Sequence, residues 1–151
     1  LRGQAAATLT ESAAAYVNYL LNAKKIVAVW QLYDDELQRG SRIILASSSL
    51  DVVVEELARR LDADSVCSRL AFRDGICLGR LAVDVTGNKQ SLVTSRITGQ
   101  ETAGRISVYT DNVSDIPLLK MADAGYAVCT PASSRLRKHA LPRSVVYVSA
   151  E

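Results

Sequence analysis

Short apolar runs alternate with stretches of helical periodicity along this chain of 151 residues. Runs typical of strands occur at 42–46, 106–110, 126–129 and 145–148. Between them, apolar residues recur every three or four positions, as on one face of a helix. Strands and helices that alternate at this spacing predict right-handed crossovers, and hence an α/β fold with a doubly wound parallel sheet.

The N-terminal part of the chain predicts helix over residues 10–38. Trp30 and Tyr33 lie on one apolar face at helical spacing, and Thr10 or Ser12 is suitably placed to cap the helix start. Alanine runs in this part favour helix but offer few large side chains for packing.

A β-hairpin is predicted in the middle of the chain. Two alternating segments, 64–73 and 76–81, flank the dipeptide Asp74-Gly75. An Asp-Gly pair between alternating apolar segments is a strong signal for a tight hairpin turn. The hairpin therefore interrupts the otherwise parallel arrangement.

Composition indicates a compact globular domain. Hydrophobic residues make up 48% of the chain, which is ample for a core. The net charge of +2 is too small to argue for a nucleic-acid partner. No stretch approaches the roughly 18 apolar residues of a membrane span, and no secretory signal is visible, so no membrane partner is expected.

The three cysteines, Cys67, Cys77 and Cys129, lack metal-ligand spacing and lie in or beside apolar runs. We expect them to be reduced and to behave as small hydrophobic residues. Because thiols stay reduced in the cytosol, this pattern predicts a cytoplasmic protein.

The strongest candidate for chemistry is an acidic turn that follows the strand at 106–110. Asp111 and Asp115 precede an apolar helical pattern, in which Ser114 or Asp115 is the predicted cap. One or two carboxylates, with waters and a substrate phosphate, are enough to hold Mg²⁺. The alternative is that these residues only form a turn, because Asp, Asn and Ser are common turn residues.

Two further groups that suit a phosphoryl ligand occur upstream. Ser47 opens a run of three serines that is expected to end the strand at 42–46 in a hydroxyl-rich turn before a helix. Lys89 begins another predicted helix, where a cation opposes the helix dipole unless it faces an anion. The simpler explanations are that Ser47 caps a helix and that Lys89 is a solvated surface charge.

In this order, three segments resemble the second, third and fourth motifs of the haloacid dehalogenase superfamily, in its phosphoserine-phosphatase-like branch. They are Ile-Leu-Ala-Ser-Ser-Ser around Ser47, Gly-Asn-Lys at Lys89, and Tyr-Thr-Asp-Asn-Val-Ser-Asp-Ile-Pro-Leu-Leu around Asp111. The resemblance covers roughly residues 35–151. It implies a Rossmann-like core there and a partial helical cap in residues 1–34.

The resemblance also implies a role for each group. Ser47 is expected to donate a hydrogen bond to a phosphoryl oxygen, and Lys89 to neutralise charge on the phosphoryl group. Asp111 is expected to bind Mg²⁺ directly, with Asp115 as a second ligand or as a group that orients Lys89. The implied substrate is a small phosphorylated metabolite. Supporting roles around these groups are expected for Ser48, Thr110 and Asn112.

The family's first motif marks the main departure. In the family, Asp-x-Asp-x-Thr at the end of the first strand supplies the nucleophile of an aspartyl-phosphate mechanism. That motif does not occur in the chain, and the segment 26–35 predicts helix rather than a degraded first strand. We therefore expect a hydrolase that is inactive in this chain, with its first strand upstream of Leu1 or on another chain. The alternative is a non-catalytic phosphate- or metal-binding pseudoenzyme, or an assembly module. A sheet edge left open by a missing strand would favour homo-oligomers.

The sequence gives less support to a Ser-His-Asp hydrolase. The serine run lacks the Gly-x-Ser-x-Gly elbow of that class. His139, the only histidine, has no acidic residue near it in sequence and follows Arg137 and Lys138 near the end of the last predicted helix. A cation there favours the helix dipole, which explains the histidine without chemistry.

Overall fold

The computed structural model describes residues 1–98, 104–129, 134–139, 141 and 145–149. Five α-helices, six β-strands and two 3-10 turns follow one another in this part of the chain. The helices are α1 (Ala6–Ala23), α2 (Val27–Gln38), α3 (Asp51–Arg60), α4 (Lys89–Thr98) and α5 (Ile116–Met121). The strands are β1 (Ile44–Leu50), β2 (Asp64–Arg73), β3 (Ile76–Val83), β4 (Ser107–Thr110), β5 (Ala124–Cys129) and β6 (Val145–Ser149). The 3-10 turns are Val113–Asp115 and Ser134–Lys138.

The chain folds as two compact units. The first unit contains residues 1–25 and 36–89, and the second contains residues 26–35 and 90–151. The two units are defined by which residues contact one another. The predicted boundary at residue 34 is of another kind, because it separates a cap segment from a core by their expected roles. That boundary therefore stays a prediction.

The first unit is built on a three-stranded sheet in the order β1-β2-β3. β1 and β2 run parallel, with Ser47 level with Cys67. β2 and β3 are antiparallel and are joined by Asp74 and Gly75, whose φ angles of 51° and 76° suit a tight turn with two left-handed residues. The hairpin predicted from the Asp-Gly pair is confirmed.

Helices α1 and α3 provide the packing partners of this sheet. Leu9 of α1 is buried together with Leu70 of β2 and Cys77 of β3. Arg60 of α3 joins the two helices, because its guanidinium donates to the side chain of Asn18 and, at 3.2 Å, to a carbonyl of α1. Each large apolar side chain removed from water in such a core contributes about 1.5–3 kcal/mol.

The second unit is built on a parallel sheet in the order β4-β5-β6. Gly125 of β5 faces α5, because a Cβ added there would lie 3.1 Å from Cδ2 of Leu119 and 2.8 Å from Cγ2 of Val145. Tyr109 and Tyr126 stack across β4 and β5, with ring centroids 4.4 Å apart. The acidic turn follows β4 directly, so this sheet fixes where the turn begins.

The predicted α/β fold with parallel strands is confirmed by the described residues. The segment 27–38 is a helix, as predicted. Cys67, Cys77 and Cys129 are all buried, and burial raises the pKa of the Cys67 thiol. Among the described helices, none has both the length and the hydrophobicity needed to cross a membrane.

Two helices occupy the segment predicted as helical over 10–38. The first begins at Ala6, and Thr10 and Ser12 are not its caps. Their hydroxyls donate from inside the helix to carbonyl oxygens four residues earlier, at 3.0 and 2.9 Å. Because a hydroxyl can bond backwards in this way, its presence alone does not mark a helix start.

The predicted serine turn is wrong in its local structure. Residues 47–49 continue β1, and α3 begins immediately afterwards at Asp51. The pairing of β1 with β2 shifts register between Ser47 and Leu50, so an irregular stretch of strand replaces the turn. The helix predicted near the C-terminus is a short 3-10 turn at Ser134–Lys138.

Candidate active site

Ser47 lies near the carboxyl end of β1 and is half-buried. Its Oγ accepts a hydrogen bond from the backbone N–H of Ser49 at 3.1 Å. Because this bond uses the oxygen as acceptor, it leaves the hydroxyl hydrogen able to donate to an anion. Ser48, which was expected to support Ser47, is exposed on the next position of the strand.

Asp51 fixes the junction between β1 and α3. Its Oδ1 accepts from the backbone N–H of Val52 at 3.0 Å and of Leu70 at 3.3 Å. The carboxylate therefore ties the start of the helix to the neighbouring strand, just beyond Ser47. Sequence analysis missed this residue, although an acidic residue in the first turn of a predicted helix is a known signal.

Lys89 is the first residue of α4 and is 8% exposed. Lysines are rarely buried to this extent unless paired, because the ammonium group loses its hydration. The low exposure of the residue disfavours the alternative that Lys89 is a solvated surface charge. Its backbone position is set by the segment 84–88, which leads from β3 into α4.

The acidic turn is organised around Asp115, which is 7% exposed. Thr110, the last residue of β4, donates from Oγ1 to Oδ2 of Asp115 at 2.8 Å. The same Oγ1 accepts from the backbone N–H of Asn112 at 3.0 Å. Asp111, between Thr110 and Asn112, is exposed. One carboxylate is thus held inside the turn and the other is open to solvent.

Asn112 caps the 3-10 turn that contains Asp115. Its Oδ1 accepts from the backbone N–H of Ser114 at 3.0 Å. Asp115, one of the two predicted alternatives, occupies the N-cap position of α5, and Ser114 does not. Ser114 donates from Oγ to Oδ1 of Asp115 at 3.4 Å, and the side chain of Asp115 makes no capping bond to α5. Both oxygens of Asp115 therefore face a hydroxyl donor.

The donor set of the acidic turn can be compared with the needs of a divalent cation. The described residues contain no group of three or more His, Cys, Asp or Glu side chains that could hold a metal by themselves. Mg²⁺ does not require such a group, because it keeps several waters and uses one or two carboxylates. Asp111 is exposed, and the carboxylate of the nearby Asp115 is held in place by its hydrogen bonds. The two carboxylates therefore suit an ion of this kind.

The structure brings together only part of the predicted site by direct contact. Thr110, Asn112 and Asp115 are joined by hydrogen bonds within the second unit. Ser47 and Lys89 belong to the first unit. The convergence of these two residues with the acidic turn stays a prediction.

An Asp-x-Asp triplet does occur in the chain, at Asp62-Ala63-Asp64. It lacks the following Thr, and its second aspartate, Asp64, is the first residue of β2, so the triplet begins a strand instead of ending one. Asp64 pairs with Ile44 at the start of β1, three residues before Ser47, and its Oδ2 accepts from Nε of Arg42 at 2.6 Å. The triplet thus lies at the end of the sheet opposite Ser47 and does not supply the family's nucleophile.

The family model for haloacid dehalogenase-like hydrolases matches residues 2–120, which is more than half of the chain. The chain belongs to the haloacid dehalogenase-like hydrolases. The match confirms the family inferred from the motifs around Ser47, Lys89 and Asp111. A search of curated proteins finds no match.

Solved structures agree with this family at the level of the fold. A phosphoserine phosphohydrolase-like protein from Francisella tularensis matches with a TM-score of 0.66 and 14% identity, over 91% of this chain and 65% of that chain. A Bordetella pertussis protein of unknown function matches with a TM-score of 0.65 and 20% identity, over 87% and 65% of the two chains. A phosphoserine phosphatase with a phospho-aspartyl intermediate analogue matches with a TM-score of 0.56 and 21% identity, over 70% and 53%. This haloacid dehalogenase-like chain thus spans 53% to 65% of the length of these structures.

Proposed function

We propose that the chain carries the phosphoryl- and metal-binding groups of a Mg²⁺-dependent phosphomonoester hydrolase that acts on a small phosphorylated substrate. The observation that carries the proposal is the acidic turn, in which Thr110 and Ser114 hold buried Asp115 while Asp111 stays exposed. A turn that served only to reverse the chain would not need a buried carboxylate, because burying a charge is costly.

Asp111 is the proposed ligand of Mg²⁺. Its exposure lets it replace one water of the hydrated ion without breaking a protein hydrogen bond of the turn. Asp115, bonded by two hydroxyls, is the proposed second ligand or the group that orients a cation. A bound Mg²⁺ supplies charge neutralisation at the phosphoryl oxygens.

Lys89 and Ser47 are the proposed phosphoryl-binding groups. The charge of a lysine residue that is 8% exposed interacts more strongly with an anion than that of a surface lysine, because less water screens it. The Ser47 hydroxyl adds a directional donor at the end of β1. Positive charge and hydrogen bonds that are already in place lower the cost of charge that develops on a transferring phosphoryl group.

The nucleophile is the part that the 151-residue sequence lacks. Asp-x-Asp-x-Thr does not occur in it, and the only Asp-x-Asp triplet, at 62–64, lies at the wrong end of the sheet. We therefore propose that the chain by itself binds phosphate and Mg²⁺ but does not turn over phosphomonoesters. The aspartyl-phosphate chemistry of the family requires an aspartate supplied from elsewhere.

A phosphatase assay with an aryl phosphate and Mg²⁺ tests this directly. The chain alone should release no aryl alcohol above the buffer rate, while calorimetry should show that inorganic phosphate binds in the presence of Mg²⁺. Turnover that disappears in Asp111→Asn would show that this chain contains its own nucleophile and would contradict the role given to the missing aspartate. No phosphate binding at millimolar concentrations would contradict the site itself.

A non-catalytic phosphate- or metal-binding protein, or an assembly module, is the second candidate. The absence of the family's first motif from the sequence favours it. The two candidates differ in one observable, the turnover of the gene product extended upstream of Leu1. Activity that appears on extension supports the hydrolase, whereas binding without activity in the extended product supports the second candidate.

We also propose a cytoplasmic location. Three buried cysteines without a disulfide are the observation that supports it. Fractionation of cells that express the native gene, followed by immunoblotting, tests it: signal in the soluble cytoplasmic fraction is expected, and signal confined to an extracellular or membrane fraction would contradict it.

A further inference from the structure

A buried serine lies beside the segment that leads into Lys89. Arg69 of β2 pairs with Val83, the last residue of β3, so Ser68 is adjacent to the point where the chain leaves the sheet. Ser68 is 1% exposed. A hydroxyl buried to this extent is costly unless it is hydrogen-bonded.

The hydrogen bonds of Ser68 lead to the segment before Lys89. The backbone N–H of Val85 donates to Oγ of Ser68 at 3.3 Å. The neighbouring Asp84 has a lowered pKa, to which the Ser68 hydroxyl contributes after the backbone N–H and the hydroxyl of Thr86. The buried hydroxyl thus holds the backbone of the segment at Val85.

Asp84 continues the same network toward α4. The backbone N–H of Thr86 donates to its Oδ1 at 2.9 Å. That bond, followed by those from the hydroxyls of Thr86 and Ser68, holds the pKa of Asp84 below its ordinary value. The carboxylate is therefore charged at neutral pH, and a charged acceptor makes stronger hydrogen bonds than a neutral one.

The segment then closes into a turn. The backbone N–H of Asn88 donates to the carbonyl of Val85 at 3.1 Å, and Val85 itself is 1% exposed. Gly87 has a φ of 76°, which only glycine adopts without strain. Three features together determine where α4 begins: the bond of Val85 to Ser68, the turn closed by Asn88 and the backbone angle of Gly87. Lys89 is the first residue of that helix.

We propose that Ser68, acting with Asp84, is a positioning residue that sets Lys89 for its contact with the phosphoryl group. The inference rests on the proposed function, because it gives Ser68 a role only if Lys89 binds an anion. Ser68 touches neither the phosphate nor the metal. It acts through the segment 84–88.

The test compares variants of the full chain by their affinity for inorganic phosphate in the presence of Mg²⁺, measured by calorimetry beside each melting temperature. Ser68→Ala and Asp84→Ala should weaken phosphate binding about five-fold or more, as expected for loss of a hydrogen bond that orients a charged group. Asp84→Asn keeps an acceptor for Thr86 and Ser68 and should restore most of the affinity. Asp84 is exposed, so its variants still show the effect on phosphate affinity even if Ser68→Ala does not fold.

Two further variants distinguish a positioning role of Ser68 from a general destabilisation of the fold. Ala58→Gly, at a buried position of α3 in the same unit, should lower the melting temperature without weakening phosphate binding. Lys89→Met should abolish binding. If Ser68→Ala and Asp84→Ala bind phosphate like the parent while Lys89→Met does not, or if Ala58→Gly weakens binding as much as they do, the positioning role is overturned and the proposed function stands. If Lys89→Met binds like the parent, the proposed role of Lys89 fails, and this inference fails with it.

Discussion

The two carboxylates of the acidic turn differ in their surroundings. Asp115 is 7% exposed and faces the hydroxyls of Thr110 and Ser114. Asp111 is exposed. A buried carboxylate with two donors is needed for the shape of the turn, because its loss would leave those donors without an acceptor. An exposed carboxylate can change partners, which is what a metal ligand must do.

Replacement of Asp111 by asparagine should weaken Mg²⁺ binding roughly ten-fold, since it removes the charge from the accessible ligand. The melting temperature should stay close to that of the parent, because the side chain is exposed. Calorimetric titration with Mg²⁺ measures the affinity. The control is Asp34→Asn, which removes the same charge from an exposed position of α2. Equal Mg²⁺ affinities in the two variants would count against Asp111 as the ligand.

At this scale the sequence predicted residue types better than their environments. Asp111, Asp115 and Lys89 were predicted as site residues from spacing and motif, and their roles stay predictions. The burial of Lys89 was not predicted, because a lysine at a helix start is equally compatible with solvent. Asn112, the side-chain cap of the 3-10 turn, was not predicted, because Asn, Ser and Asp can all cap and only the backbone decides between them. Asn112 has the extended φ of −109° and ψ of 131° of a capping residue.

At the scale of elements, α3 contains a network of one carboxylate and two guanidinium groups. Glu56 accepts from Nε of Arg59 at 2.9 Å and from Nε of Arg60 at 2.7 Å. These bonds, first from Arg59 and then from Arg60, lower the pKa of Glu56 from 4.5 to about 2. Because the pKa of Glu56 is lower in the folded chain than in the unfolded one, the network stabilises the folded chain above pH 4.5.

The stabilisation should be lost as the pH falls from 4.5 toward about 2, where Glu56 becomes protonated. Glu56→Gln should therefore melt at a lower temperature than the parent at neutral pH, and the difference should close over that acid range. Melting curves by circular dichroism at a series of pH values measure it. Glu11→Gln, at an exposed position of α1, is the matched control. A difference between parent and Glu56→Gln that is the same at pH 2 and pH 7 would contradict the assignment.

The packing of α5 on the second sheet depends on the absence of a side chain at Gly125. A Cβ there would lie 2.8 Å from Cγ2 of Val145, so Gly125→Ala should destabilise the fold by about 1–3 kcal/mol. Chemical denaturation measures the change. Gly104→Ala is the control, since a Cβ at that position meets no atom within 4 Å. Equal stability of the two variants would show that β5 and β6 adjust without cost.

Helices and strands were predicted well where apolar periodicity was strong, as in α3, β5 and the hairpin. Boundaries were predicted less well. Serine is common in turns, which suggested that β1 ends at Ser47, but its small side chain also fits an irregular strand. Thr10 and Ser12 illustrate the same ambiguity in a helix, because a hydroxyl can cap a helix or bond backwards within it.

At the scale of the whole molecule, the order of the motifs predicted the family and the fold class. The grouping of residues 1–25 with 36–89, and of 26–35 with 90–151, was not predicted, because contacts between distant segments leave no local pattern in the sequence. Among the described strands, β1 ends its sheet and pairs only with β2. β1 has the sequence Ile-Leu-Ala-Ser-Ser-Ser-Leu, without the charge or proline that commonly protects an edge strand.

We propose that the edge of β1 promotes self-association of the chain. Sedimentation or light scattering should show a mass that rises with protein concentration. Ser48→Lys places a charge on an exposed position of this strand and should shift the chain toward monomer. Thr8→Lys adds the same charge to an exposed position of α1 and should not. A monomer at all concentrations, or equal effects of the two variants, would contradict pairing through β1.

Ser47, Lys89 and Asp111 are proposed to serve one anion-and-cation site. NMR tests this proposal by following the amide chemical shifts while Mg²⁺ and inorganic phosphate are added together. The amide signals of the three residues should shift along one saturable curve with a common midpoint. Shifts at different ligand concentrations, or a response of the acidic turn while Ser47 and Lys89 stay unchanged, would contradict it.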